Sequence, residues 1–271
     1  MSSVYDADAE DFLGWSPLLW TPLGTELAES AALRSGERVL DACSGAGGCA
    51  LPAARSVGPA GHVDAVDLTE QLVRRLELAA NRDGVHQLQA HLADVTTWVS
   101  DRPYDVVLCG YGAFFLPDPD RDGRHLVSQL KPGGRFAAST WNRGAMGFVG
   151  FVYEAVRAVR PELTVPVRTD RWLDSPALLA GWLERIGLQD VEIEAVTHRV
   201  DLTPETAWAF VTGTGLRSLL SAMDGAETGL VKRRLLELIE FEHGWELIAD
   251  SLIGTGRRGD PVSTGRPASD D

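Results

Sequence analysis

The chain has 271 residues, 44% of them hydrophobic, and sets 25 Lys plus Arg against 39 Asp plus Glu for a formal net charge of -14. That length and apolar content suit one large domain or a compact domain carrying an inserted cap. The acidic excess repels phosphate backbones and anionic membrane surfaces, so neither nucleic acid nor membrane is an expected partner.

In chain order, residues 1–36 read as an N-terminal helical lid: two helices at 7–14 and 17–34, parted by Gly14-Trp15-Ser16-Pro17, with Trp15, Leu19, Trp20, Leu23 and Leu27 as apolar surface. The opening MSSVYDADAEDF is acidic where a signal peptide is basic and then apolar, so the expected location is cytoplasmic. Residues 37–141 alternate β-rich runs with helical periods, which predicts a parallel α/β core. The strand candidates are ERVLDACSG, GHVDAVDLT, LQAHLADVTTW, YDVVLCGYG and GRFAASTW. Thr69 caps a helix whose Leu72, Val73, Leu76, Ala79 and Ala80 share a face and which Asn81 to Gly84 stop. Arg74, Arg75 and Arg82 on that helix read as solvated surface. Pro119 opens another helix to about 130, and Lys131-Pro132-Gly133-Gly134 breaks the chain before the fifth strand.

Residues 142–202 read as a cap segment, a helix and a sixth strand: helix 144–160, a connection at 161–174, a helix from Ser175 to Gly187, and the strand VEIEAVTHRVDL. Residues 203–243 read as an inserted helical cap of two helices, 244–256 as the last strand, and 257–271 as a disordered tail. Cys43, Cys49 and Cys109 lack metal-ligand or disulfide spacing and read as small core residues.

The chemistry-bearing segment is Val39-Leu40-Asp41-Ala42-Cys43-Ser44-Gly45-Ala46-Gly47-Gly48, a buried strand running into a glycine-rich turn and a helix. Gly45 and Gly47 permit close backbone approach, and the helix start offers free amides to a carboxylate. Asp41 can face a ligand ammonium, Asp67 at the end of the second strand can accept both ribose hydroxyls, and Asp94 suits an adenine amino group. Singly, each has a plain alternative: Asp67 as a helix cap, Asp94 as a turn residue capping Thr96 or Thr97. Their order puts three acids and two glycines on one edge of a parallel sheet, where open α/β folds bind ligands.

From about Tyr5 to Trp141 the chain resembles the class I S-adenosylmethionine-dependent methyltransferases, within them the ubiquinone/menaquinone-biosynthesis-type branch and its bacterial natural-product relatives. Asp41, Gly45 and Gly47 match the family pattern, while Cys43 replaces its first glycine. The resemblance implies an α/β, Rossmann-like, mostly parallel seven-stranded sheet with helices on both faces, an antiparallel edge strand and a helical cap from insertions. It implies S-adenosyl-L-methionine as methyl donor, S-adenosyl-L-homocysteine as product, Asp67 on the ribose, Leu68 on the adenine face, Asp94 and Val95 at its edge, and Cys43, Cys109 and Gly110 along the methionine portion. Tyr5 and the Trp15–Trp20 segment would form a lid, with Trp20 against the cofactor.

In-line methyl transfer needs alignment and a dry site more than a base. Tyr111 after the fourth strand and His198 on the sixth are the candidate bases, each with a structural alternative. Cys109-Gly110-Tyr111-Gly112 lacks the Asn/Asp-Pro-Pro-aromatic motif of base-amino methylation and the Pro-Cys of cytosine C5 methylation, which favours a small-molecule acceptor through O, C or N. Phe114, Phe115, Trp141, Phe148, Phe151 and Tyr153 are pocket candidates, two of the last three read as core. No metal is expected, and a homodimer is left open. The alternatives are a fold relative that binds the same cofactor and catalyses a non-methylating rearrangement, and an NAD(P)-dependent oxidoreductase, since Gly45 to Ala50 also satisfies GxGxxA.

Overall fold

The structure, a computed structural model, describes residues 14–163, 172–242 and 244–259. Residues 14–30 follow one helical path, with a π-helical turn at Ser16–Trp20 running directly into α1 (Thr21–Ser30). The break expected at Gly14–Pro17 is absent: Pro17 stands in the first turn, where a missing N–H costs nothing. The helix also stops short of residue 34, because Ala32 (φ 49°) and Gly36 (φ 83°) turn the chain.

Five strands then form the parallel part of the sheet: β1 (Arg38–Ala42), β2 (His62–Asp67), β3 (Leu88–Leu92), β4 (Tyr104–Gly110) and β5 (Leu130–Trp141). They are linked through α2 (Ala50–Val57), α3 (Glu70–Arg82) and α4 (Pro119–Ser128). The side-chain period of two sends alternate residues of each strand to opposite layers. Val39, Val63, Val106 and Ala137 pack with α1, α2 and α3, whereas Leu40, Val66, Val107 and Phe136 pack with α4 and with α6 (Pro176–Arg185). In α3 the buried residues are Leu72, Val73, Leu76 and Ala80, four of the five on the face its sequence predicts, with Ala79 half-buried. Arg74 pairs with Glu70 and Arg82 with Asp83 on the exposed face. Lys131–Gly134 does not precede β5 but bulges within it: Tyr104 pairs with Leu130 and Val106 with Arg135, with Gly133 at φ 70°.

The two late strands each divide in two. β6 (Leu188–Val196) and β9 (Ser251–Arg258) pair in the main sheet, while β7 (Arg199–Asp201) and β8 (Glu246–Ile248) pair antiparallel as a separate ribbon. The sheet order is β3-β2-β1-β4-β5-β9-β6, so the antiparallel pairing expected at one edge is made by β9, lying between β5 and the outermost strand. The division falls at Thr197-His198 and Ala249-Asp250, where the Ala249 N–H donates to the His198 carbonyl and Arg199 pairs with Asp250. Between β7 and β8 the chain builds α7 (Pro204–Gly213), a 3-10 turn and α8 (Gly225–Phe241). Capping boxes at Thr203/Thr206 and Asp224/Glu227 satisfy the first amides of α7 and α8. These helices and α5 (Phe148–Val159) enclose a separate apolar cluster, including Phe148, Phe210, Val231, Leu235 and Leu247, which also takes in Trp15, Leu19, Tyr111 and Trp141.

Candidate functional site

The C-terminal ends of β1, β2, β3 and β4 meet at one edge of the sheet. Asp41 stands opposite Ala65 of β2 and Leu108 of β4, and Asp67 stands opposite Leu92 of β3. The loop after β1 is tied to β2 by the Ser44 N–H donating to the Val66 carbonyl at 3.1 Å, and the turn carrying Asp94 by the Ala93 N–H donating to the Asp67 carbonyl at 3.0 Å. Asp41, Asp67 and Asp94 thus share one sheet edge with Gly45, Gly47 and Gly110.

Their side chains differ sharply in environment. Asp67 is half-buried and organises the loop, accepting from the Gly45 N–H at 2.8 Å and the Thr69 N–H at 2.9 Å. Asp94 accepts at Oδ1 from the Thr96 N–H and hydroxyl, at 2.9 and 2.7 Å, so the turn reading of this residue is realised alongside its place at the edge. Asp41 is 1% exposed, and neither carboxyl oxygen has a hydrogen-bond partner among the described residues. The nearby Ala50 N–H favours its charged form without reaching hydrogen-bond geometry, but burial and then the charge of Asp67 push its pKa up to about 8. A buried carboxyl without donors is costly unless a cation arrives to compensate it. The Ser44 hydroxyl, three residues further along, is likewise buried without a partner among the described residues. Together they fit the ammonium and carboxylate of an amino-acid ligand. Leu68, by contrast, is 61% exposed at the tip of β2, an apolar surface open to a flat base.

Cys43 has φ 61°, the left-handed conformation in which the family pattern places glycine. The neighbouring Cys109 thiol, followed by burial, raises the Cys43 pKa. Burial and the charge of Asp41 do the same for Cys49, so the thiols stay neutral beside the carboxyls. All three cysteines are free, Cys49 and Cys109 buried and Cys43 half-buried. Gly110 has no room for a side chain, since a Cβ there would lie 2.5 Å from the Cys49 Sγ and 3.3 Å from Leu27. The lid segment is seated on the same loop, for the Trp20 carbonyl would be 2.9 Å from a Cβ at Gly48. Val95 is buried behind Asp94. Tyr5 lies outside the described residues.

The two base candidates are placed apart from each other. Tyr111 follows β4 with φ 53°, buried, its hydroxyl 2.5 Å from the Ser251 Oγ and its pKa driven upward by that burial. His198 is half-buried on the link between β6 and β7, not within β6, and its Nε2 donates to the Leu18 carbonyl at 2.7 Å. Among the pocket candidates, Trp141 stacks near Tyr111 with ring centroids 4.2 Å apart, and Trp20 meets both rings at 6.0 and 6.1 Å. Phe148 is buried edge-on to Phe210, Phe151 fills the space facing Gly244, and Phe115 is exposed. Sequence reasoning missed Ser44, Ser139 and Ser251 as contributors. The first lies inside the quoted loop, but the other two become neighbours of the site only through the order β4-β5-β9.

Among the described residues no helix is long and apolar enough to cross a membrane. Residues 39–134 match a methyltransferase-domain family profile. A ubiquinone biosynthesis O-methyltransferase of Xanthomonas euvesicatoria is 31% identical over 181 residues, covering 65% of this chain and 73% of the relative. Aklanonic acid methyltransferase DauC of Streptomyces sp. is 29% identical over 192 residues, 68% of this chain and 81% of that one. The YcgJ protein of Bacillus subtilis shares the fold with a TM-score of 0.59 at 17% identity, over 89% of this chain and 99% of that one. The choice between a methyl donor and a nicotinamide is decided for the former: the chain belongs to the class I S-adenosylmethionine-dependent methyltransferases.

Proposed function

We propose that the protein methylates a small, largely apolar molecule of secondary metabolism, held between the sheet edge and the helical cap. The observation that carries this reading is the position of the cap cluster: α5, α7 and α8 pack over the end of β4 and β5, with Trp20, Phe114 and Trp141 at the junction. The acidic net charge and the activities for which the two methyltransferase relatives are named support a small acceptor over nucleic acid. The three free cysteines suit a reducing cytoplasm.

In this reading Asp41 and Ser44 hold the ammonium and carboxylate of the methionine portion, Asp67 the ribose, and Leu68, Asp94 and Val95 the adenine, with Cys43, Gly45, Gly47, Cys109 and Gly110 as the close-fitting wall. The bound cofactor supplies an electrophilic methyl group on sulfur. The chain contributes alignment and exclusion of water: the Trp20 segment closes one side and the cap another, so the acceptor meets the methyl in a dry site. Neither candidate base is needed, since the Tyr111 hydroxyl is held by Ser251 and His198 by Leu18. Incubation with trideuteriomethyl-labelled cofactor and a panel of phenolic, enolic and amine compounds tests the proposal. One labelled methyl on a low-molecular-weight product is expected, and label on protein or nucleic acid alone would reject it.

A further inference from the structure

Tyr111 occupies an unusual position for a bulky residue. Its backbone is left-handed, φ 53°, a conformation that costs a non-glycine residue about 1 kcal/mol or more. It is held there by its own N–H, which donates to the Ser139 carbonyl at 3.0 Å, and by Gly112, where a Cβ would lie 2.7 Å from that of Cys43. The ring is therefore aimed away from β4 and wedged between Trp141 and the lid residue Trp20. Its hydroxyl reaches Ser251, the first residue of β9, which is 1% exposed.

The direction of that hydrogen bond follows from its neighbour. The Ser251 hydroxyl donates its single proton to the Ala249 carbonyl at 2.9 Å, so toward Tyr111 it can only accept, and Tyr111 is the donor. Ala249 is where β8 of the cap ribbon hands over to β9 of the sheet. The two neighbours of Ala249 anchor the start of the cap, because the Ile248 carbonyl accepts from the Met146 N–H and the Asp250 carbonyl from the Asn142 N–H. An ordered relay thus runs from the strand tip beside Gly110 to the hinge of the cap.

We propose that Tyr111 and Ser251 are positioning residues that couple the cap to the cofactor site, so that the occupied site fixes the hinge at Ala249-Asp250 and with it the acceptor-binding wall. This rests on the S-adenosylmethionine site assigned above. Tyr111 commits its proton to this relay, and the Ser139 carbonyl and the close packing at Gly112 keep the ring's aim against the strain at its backbone.

Hydrogen–deuterium exchange on the full chain, with and without S-adenosylhomocysteine, tests it. In the wild type the ligand slows exchange both at 104–112 and at 246–252. In Tyr111→Phe and in Ser251→Ala, binding by calorimetry stays within about threefold and 104–112 remains protected, but ligand-dependent protection of 246–252 is lost. Tyr111→Phe combined with Ser251→Ala loses no more than either alone, because a single relay is broken once. Persistent protection of 246–252 in either variant, absence of that protection in the wild type, additive losses, or a Ser251→Ala affinity as poor as that of Asp67→Ala would overturn the coupling. A wild type that fails to bind S-adenosylhomocysteine would instead refute the cofactor-site assignment on which the coupling rests.

Discussion

Replacing Asp41 by Asn should make the ligand-free protein more stable and the cofactor site worse. Burial and the nearby Asp67 raise the Asp41 pKa from 3.8 to about 8, so folding takes up a proton between those values. The raised acid contributes fully below pH 4, and its contribution falls by about 1.4 kcal/mol per unit as pH climbs toward 8. By pH 7 the accumulated loss is about 4 kcal/mol, against under about 2 kcal/mol at pH 5. Asn has nearly the shape of the protonated acid and cannot ionise, so Asp41→Asn escapes this loss. At pH 7 its melting temperature should exceed the wild type's by roughly 10 °C, at about 2–4 °C per kcal/mol for a chain of this size. The same variant cannot offer a negative charge to an ammonium, and S-adenosylhomocysteine should bind it about 100-fold more weakly, a loss of about 3 kcal/mol. Urea unfolding of both proteins from pH 5 to 9, with calorimetry at pH 7.5, measures both effects. A variant no more stable than wild type at pH 8, or a stability difference flat across that range, would show that Asp41 carries no burial penalty.

Gly110→Ala should weaken S-adenosylhomocysteine binding at least tenfold and destabilise the fold by about 1–3 kcal/mol, read by calorimetry and denaturant titration, because the added Cβ meets the Cys49 Sγ. Asp64 of β2 gives an acid limb. Its burial would raise its pKa, but hydrogen bonds from His91, Tyr104 and His62 outweigh that and hold it at about 2. Its contribution, about 2 kcal/mol, is present above pH 4 and lost as pH falls toward 2, so Asp64→Asn should lower stability at pH 7 and flatten the wild-type decline between pH 4 and 2. Cys43→Val should destabilise by at least about 1 kcal/mol in thermal unfolding, since a β-branched residue is poorly accommodated at φ 61°.

The sequence exposes what depends on local pattern. Of the five apolar residues of α3 that recur at helical spacing, four are buried and Ala79 is half-buried, and the β-rich runs carrying Asp41 and Asp67 form strands ending at one edge. What stays hidden depends on partners distant in sequence. Alternation in VEIEAVTHRVDL says that a strand is present but not that its two ends join different sheets, a choice made by pairing with residues about 50 positions later. Lys131–Gly134 reads as a breaker because glycine and proline leave regular structure, yet Leu130 already pairs with Tyr104, so the four residues bulge instead. In the site, the replacement of glycine by Cys43 is visible as a letter, but its left-handed backbone is not. The Tyr111 hydroxyl suggests a base until Ser251, 140 residues away, is seen to hold it.

We read the three carboxyls at one sheet edge, together with the glycine bend, as an adenosyl-methionine site. Titration calorimetry of wild type and Asp67→Ala with S-adenosylhomocysteine tests it most directly. One-to-one saturation is expected in the wild type, with affinity at least about 100-fold lower in the variant. Absence of binding to the wild type, or equal affinity in the two proteins, would contradict it.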